Sequence, residues 1–272
     1  MIKLQQSVPV TLAMSWHDGD AVVDPGTVTV TITDATGTII ASEAATAGSG
    51  ADARTYALNG SDLATLTIIT VVWSSSEQGD RTEQYEVIGN VYASLGELRG
   101  LDSLDDVVKF PAAKLAGAHD WWADLVERWC GVSYVPRYGR YERYRQSFLE
   151  VYIKPEPREV QAASIEGTTL NTSSWRLHSS GLLGNHGLGV GQLTIHYTHG
   201  FEGPDEELRD AGLTAMRSKL LSNQTGRPSR QTLITNELGT VRLAQPGEKA
   251  ATGIPEVDRV LNDRIYMPVM VA

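Results

Sequence analysis

One cysteine, Cys130, occurs in 272 residues. An internal disulfide is therefore excluded, and so is a zinc site built from several thiolates. Cys130 lies beside a tryptophan-bearing apolar stripe, which reads as a buried core thiol rather than a nucleophile. No apolar run approaches the roughly 18 residues of a membrane span. The first residues, MIKLQQSVPV, lack the apolar segment expected of a secretory signal. No G-x-S-x-G, P-loop or H-E-x-x-H pattern occurs, so the commonest signatures of acyl transfer, phosphate binding and zinc hydrolysis are missing. Basic side chains are scarce at the start. Residues 1–90 hold three (Lys3, Arg54, Arg81) against eleven acids, a balance of −8 within a chain total of −10. Such acidity repels nucleic-acid phosphates. The change to near neutrality after residue 90 marks a domain boundary.

What remains is an ordinary globular composition, 41% hydrophobic and 21% charged, in a chain long enough for two domains. The expected class is α+β: a β domain over 1–90, then a helical domain over 91–272 with a β insertion at about 148–200 and an apolar tail. In the first part, Val8, Val10, Leu12, Met14 and Trp16 alternate as in a half-buried strand. Val28, Val30 and Ile32 follow a turn at Asp24-Pro25-Gly26, and further short strands are predicted around Ile39, Tyr56, Leu66–Trp73 and Tyr85. Short strands with frequent turns suggest an immunoglobulin-like β-sandwich, without the Cys–Trp–Cys pattern of a true immunoglobulin domain.

The second part is organised around Pro111–Gly131. Leu115, Ala118, Trp122, Leu125 and Trp129 recur in steps of three and four, with Trp121 and Val126 widening the stripe. That spacing predicts one long amphipathic helix, opened by Pro111 at its first position and stopped by Gly131. About 20 residues make a rod of roughly 30 Å, against which everything after residue 90 is expected to pack. A short helix is expected at Ser94–Leu98, another after Pro204 and a last one at Pro255. Leu193, Ile195 and Tyr197 share a strand face. A hairpin is expected at Leu233–Glu237 with Thr240–Leu243, inside a long connection over 223–254.

Candidate chemistry is sparse. The loop GLGVGQL, with Gly187, Gly189 and Gly191, precedes a strand and not a helix, so it reads as a flexible hairpin loop and not a nucleotide loop. His196 and His199 are three apart on a strand and face opposite ways, so a shared metal would require a bend. His196 is expected at the surface and His199 packed or in a turn. His17-Asp18-Gly19-Asp20 with Asp24 lacks the spacing of a calcium loop and reads as a solvated turn. Asp105-Asp106 and Glu206-Glu207 fall at expected helix starts, where capping accounts for them. Nothing assembles a catalytic pair, and no cofactor or metal is expected. One basic-aromatic cluster stands out: Arg137, Tyr138, Arg140, Tyr141, Arg143, Tyr144 and Arg145. It suits an inter-subunit or partner interface better than a DNA contact. The apolar tail Ile265, Tyr266, Met267, Pro268, Val269, Met270 and Val271 suits docking into another protein, since exposed apolar termini are otherwise avoided.

Several segments in order carry a resemblance: Tyr92-Ala93-Ser94, Phe110-Pro111, Gly131-Val132-Ser133-Tyr134-Val135-Pro136-Arg137, Ile195-His196-Tyr197-Thr198-His199-Gly200-Phe201, Pro204, Glu237-Leu238-Gly239-Thr240, and Thr252-Gly253-Ile254-Pro255-Glu256-Val257-Asp258-Arg259-Val260-Leu261. Over roughly 92–272 the chain resembles the head-to-tail connector (adaptor) proteins of long-tailed bacteriophages. The resemblance implies a structural virion protein and not an enzyme. It implies a homo-oligomeric ring, commonly of about twelve subunits, made in the host cytoplasm and placed in the virion neck. The ring would dock under the portal protein through the tail at 265–271, extend the channel for double-stranded DNA without reading its sequence, and meet the head-closure or stopper protein. No membrane is involved in that scheme. Residues 1–90 are an addition to the family pattern. The alternative is a host-surface or carbohydrate-binding virion module led by that β domain, and a clustered set of exposed aromatics on residues 1–90 would favour it. A metal-dependent hydrolase using His196 and His199 is a third reading.

Overall fold

The computed structural model describes residues 2–18, 21–145, 148–173, 175–178, 181–188, 190–222, 233–236, 239–242 and 250–265. The fold is mixed α+β, with more strand than helix. The chain divides into two compact units, one of residues 1–90 with 136–199 and the other of 91–135 with 200–272.

The first unit begins with β1 (Ile2–Gln5), β2 (Val10–Ser15), β3 (His17–Asp18), β4 (Ala21–Val22), β5 (Val28–Thr33), β6 (Ile39–Ala44), β7 (Thr46–Ala47), β8 (Ala53–Leu58), β9 (Ile68–Ser75) and β10 (Gly79–Ile88). One sheet runs β1-β10-β9-β5-β6 and a smaller one β2-β8-β7; β3 and β4 form a separate hairpin. Alternation decides the faces. Val28, Val30 and Ile32 of β5 and Ile69, Val71 and Trp73 of β9 turn into one core with Leu12, Trp16, Tyr56, Leu58, Tyr85 and Val87. Trp16 meets Trp73 edge to face, with ring centroids 6.4 Å apart, the arrangement the ring quadrupoles favour. The alternation beginning at Val8 overreaches, because Val8 precedes β2 and is exposed.

The same unit continues with β11 (Arg137–Arg145), β12 (Phe148–Val151), β13 (Pro157–Ile165), β14 (Thr168–Thr169), β15 (Arg176–His178), β16 (Gly181–Leu188) and β17 (Gly191–His199). One sheet runs β11-β17-β13-β14 and another β12-β16-β15. Glu166 and Gly167 turn between β13 and β14, both at positive φ, as a tight hairpin requires. Leu193, Ile195 and Tyr197 are buried with Val151, Ile153 and Ala163 in a core of their own. Two expectations change here. Residues 181–188 form β16, so Gly187 and Leu188 of the expected loop belong to a strand; ladder pairing to β12 and β15 outweighs the low strand preference of glycine. Residues 136–199 also group with residues 1–90 and not with the long helix, and their sheet holds a core of its own.

The second unit holds α1 (Leu95–Arg99), α2 (Ala112–Cys130), α3 (Glu206–Ser222), α4 (Pro255–Asn262) and the hairpin of β18 (Leu233–Asn236) with β19 (Gly239–Arg242). Ser94 and Glu97 form a capping box at α1. Pro111 is the cap of α2 and not its first residue; its extended ψ of 156° places the helix start at Ala112. Gly131 closes α2 in the left-handed region at φ 77°, where a Cβ would cost energy. Leu115, Ala118, Trp122, Leu125 and Val126 are buried, and Trp121 and Trp129 pack partly buried beside them. A side chain at Gly212 of α3 would lie 2.6 Å from the Trp122 indole nitrogen. The glycine therefore brings α3 close to the tryptophan, which offsets the roughly 1 kcal/mol that glycine costs inside a helix.

Candidate interaction surfaces

The arginine–tyrosine cluster becomes the strand β11, and its period of two divides it. Arg137 turns inward and grips Glu86 through two nitrogens, at 2.7 and 2.5 Å. The side chains are 15% and 4% exposed, so this ion pair is desolvated. Tyr138 is buried and shares a 2.5 Å hydrogen bond with Nδ1 of His196. Tyr141 packs against the sheet's core. Arg140 pairs with Glu142 on the surface, Arg143 is exposed, and Tyr144 is 60% exposed. The strand ends at Arg145. Of the expected interface set, Arg137 and Tyr138 are thus taken up internally. Arg140, Arg143 and Tyr144 remain presented to solvent. Glycine makes the division possible at one point: a Cβ at Gly139 would lie 2.4 Å from the Tyr197 ring.

His196 is buried, not a surface imidazole. Burial lowers its pKa, and Arg140 lowers it further against the opposing pull of Asp34 and Glu142. Burial and the Arg137 charge push His199 down to about 4. Both rings are therefore neutral at pH 7. Burial pushes the Tyr138 hydroxyl up to about 12, so it stays protonated and can bond to the neutral imidazole. His196 and His199 sit on opposite faces of β17 in register with different neighbours. Among the described residues no group of three or more His, Cys, Asp or Glu side chains is placed to hold a metal ion.

The acidic turn is likewise engaged. Asp24 accepts from the Gly26 N–H at 2.9 Å and from Arg54 at 2.7 Å. Residues 19 and 20 lie outside the described set. Asp106 sits in a turn before α2 rather than at a helix start: its carboxylate accepts from the Val108 and Lys109 N–H groups. Glu206 and Glu207 do open α3, and Asp205 accepts from the Leu208 N–H at 2.8 Å.

In the helical unit, a clamp that periodicity did not reveal fixes the chain after α4. Arg264 donates to both Asp205 oxygens, at 3.0 and 2.8 Å, and to Glu207 at 2.9 Å. It also donates to the Val260 carbonyl at 3.0 Å, and the Tyr134 hydroxyl donates back to the Arg264 carbonyl at 3.3 Å. Burial opposes ionisation of Asp205, but the bonds from Arg264 and the Leu208 N–H outweigh it and its pKa falls. Glu207 is lowered by its bonds to Arg264 and Arg259. Trp129 donates to the Asn262 side chain at 3.0 Å. Burial pushes the Cys130 thiol up to about 11, and its Sγ lies 3.7 Å from the Leu261 carbonyl. A protonated buried thiol is a packing group and a poor nucleophile. Beyond the clamp, Ile265 is 42% exposed. Tyr266, Met267, Pro268, Val269, Met270 and Val271 lie outside the described residues.

Two further features escaped periodicity. Asp258 accepts from the Thr252 N–H and hydroxyl and the Gly253 N–H, at 2.7, 2.9 and 3.0 Å, which ties the approach to α4. The signal was the T-G-I-P-E-V-D spacing. Glu86 gave none beyond being an acid in an apolar run, Tyr85 to Ile88. A scan against protein-family models finds no match, and a search of curated proteins finds none either.

Proposed function

We propose that this chain is a ring-forming head-to-tail adaptor of a long-tailed bacteriophage, carrying an added immunoglobulin-like β-sandwich at residues 1–90. It acts by protein–protein contact. It docks under the portal, lines the channel for double-stranded DNA without gripping it, and presents a surface to the head-closure protein. One observation carries the reading most. Several of the residues that bear the resemblance sit at turning points of a unit that holds four helices among the described residues. Gly200 takes φ 90° where a Cβ would lie 2.3 Å from the Val135 carbonyl. Thr252, Gly253, Pro255 and Asp258 build the start of α4. These are requirements of a shape and not of a reaction centre. The clamp at Arg264 then gives the apolar tail a fixed point of departure, which suits a docking arm.

The chain's acidity supports a conduit that does not bind its cargo. The carbohydrate-binding alternative loses its platform, because Trp16, Tyr56, Trp73 and Tyr85, the aromatics of residues 1–90, are buried. The test is to purify the particles and locate this chain by electron microscopy of the neck. Density for it as a ring between portal and tail is expected; its absence from assembled particles would refute the proposal. Deleting residues 265–272 is expected to abolish portal capture, and undiminished capture would remove the docking arm.

A further inference from the structure

We propose that an aromatic platform on the helical unit, Phe201 stacked on Tyr134, is the binding site for the chain's own apolar segment 266–271. The two rings lie 5.2 Å apart between centroids, with their planes inclined by 31°. The Phe201 N–H donates to the Ser133 carbonyl at 3.0 Å, which fixes the ring beside the turn that follows α2. Tyr134 packs against the core, yet Phe201 stays 48% exposed. Ile265, 42% exposed, adjoins the hydroxyl end of Tyr134, because that hydroxyl donates to the Arg264 carbonyl at 3.3 Å. Phe201, Tyr134 and Ile265 thus make one apolar patch, held rigidly and open to cover.

The occupant follows from where the chain leaves the clamp. The Arg264 side chain holds Asp205 and Glu207, and the Ile265 N–H donates back to the Asn262 carbonyl at 3.4 Å. Residue 266 therefore starts at one edge of the platform. From there the Phe201 ring is on the order of 10 Å away, about three residues of extended chain. That brings Met267 into reach, and a thioether suits an aromatic ring. Tyr266, Met267, Pro268, Val269, Met270 and Val271 carry no charge, so covering them removes apolar surface from water. Being tethered, the segment meets the platform at a local concentration of about millimolar or more. It therefore outcompetes the same segment of a second copy at ordinary protein concentrations. A partner that takes the segment, as the adaptor reading requires, must first displace it, and binds more weakly by the fraction held. The platform stands whether or not the chain is an adaptor.

The test uses the full-length chain alone. Hydrogen exchange followed by mass spectrometry should show the amides of 266–271 exchanging about tenfold or more slowly than in a free peptide of the same residues. Phe201→Ala should bring them to the peptide's rate while exchange in α2 and α4 stays as in wild type. Met267→Asp leaves the body of the protein untouched and should also release the segment; if Phe201→Ala fails to fold, this variant decides. A benzophenone-bearing side chain placed at position 201 should cross-link on illumination into 266–271 of the same chain, at monomer mass. Wild-type exchange at the peptide's rate, or protection that survives these substitutions, would overturn the proposal. So would cross-links that run only to other parts of the chain or only between copies, the latter making a second copy the occupant.

Discussion

The two units handle buried charge in opposite ways. In the strand-rich unit the polar groups lie inside: the Glu86–Arg137 pair is desolvated, His196 and His199 are held neutral, and Tyr138 bonds to His196. In the helical unit the core is mostly apolar, with His119 of α2 accepting from the Tyr92 N–H at 3.2 Å, and charges work at helix ends, where Asp258, Asp205 and Arg264 satisfy or pin termini. The difference follows from backbone geometry. Strands have two faces and bond sideways, so a sheet with both faces covered must bury the polar residues on each. Helices bond internally and leave orphan groups only at their ends, so polar side chains collect there.

The contrast can be broken most severely at Glu86. Glu86→Ala leaves Arg137 buried without its carboxylate and should cost about 3–5 kcal/mol, read as a lower denaturant midpoint. A loss under about 1 kcal/mol would mean the pair is hydrated. Acid should then separate the units. His199 has an ordinary pKa of 6.5 and about 4 when folded. Below pH 6.5 the unfolded chain takes up a proton that the folded one refuses, so this contribution is full above 6.5 and drains as pH falls to about 4, at up to roughly 1.4 kcal/mol per pH unit. Asp205 and Glu207 are lowered from ordinary values of 3.8 and 4.5, so the helical unit keeps their contribution until pH falls below that range. Hydrogen exchange followed by mass spectrometry between pH 7 and 4 should show residues 136–199 loosening first, and His199→Gln should flatten that slope. Simultaneous loosening would contradict the distinction.

Smaller effects sharpen the comparison at helix ends. Asp258→Ala removes three hydrogen bonds to a buried carboxylate and should cost about 1–3 kcal/mol, seen as faster exchange across α4. At the bottom of the scale, Arg259→Ala breaks exposed pairs with Glu207 and Asp263 and should shift stability by less than about 1 kcal/mol. A larger loss would show that Arg259 braces the Arg264 clamp.

Much of this was legible in the residues alone. The 3.6-residue stripe of Leu115, Trp122 and Leu125 located α2, the cap at Ser94 located α1, and Pro255 located α4. The alternation at Val28–Ile32 and Leu193–Tyr197 assigned buried faces correctly. These succeed because the signal and its cause are both local: a repeat along the chain matches a repeat along the backbone. The Arg-Tyr run was seen as a cluster, but its division between core and surface was not, since that needs the neighbouring strand.

The residues by themselves therefore determined the helices and several of the strands, because capping, periodicity and turn chemistry act within a few positions, whereas β1, β11 and β16 carried too weak a period to be read. Tertiary structure alone decided that residues 136–199 gather with 1–90, that Glu86 meets Arg137 across 51 positions, and that Arg264 closes on Asp205 across 59. Those pairings are set by burial of whole faces, and the energy that selects them is spread over many apolar contacts with no mark at any one place in the sequence.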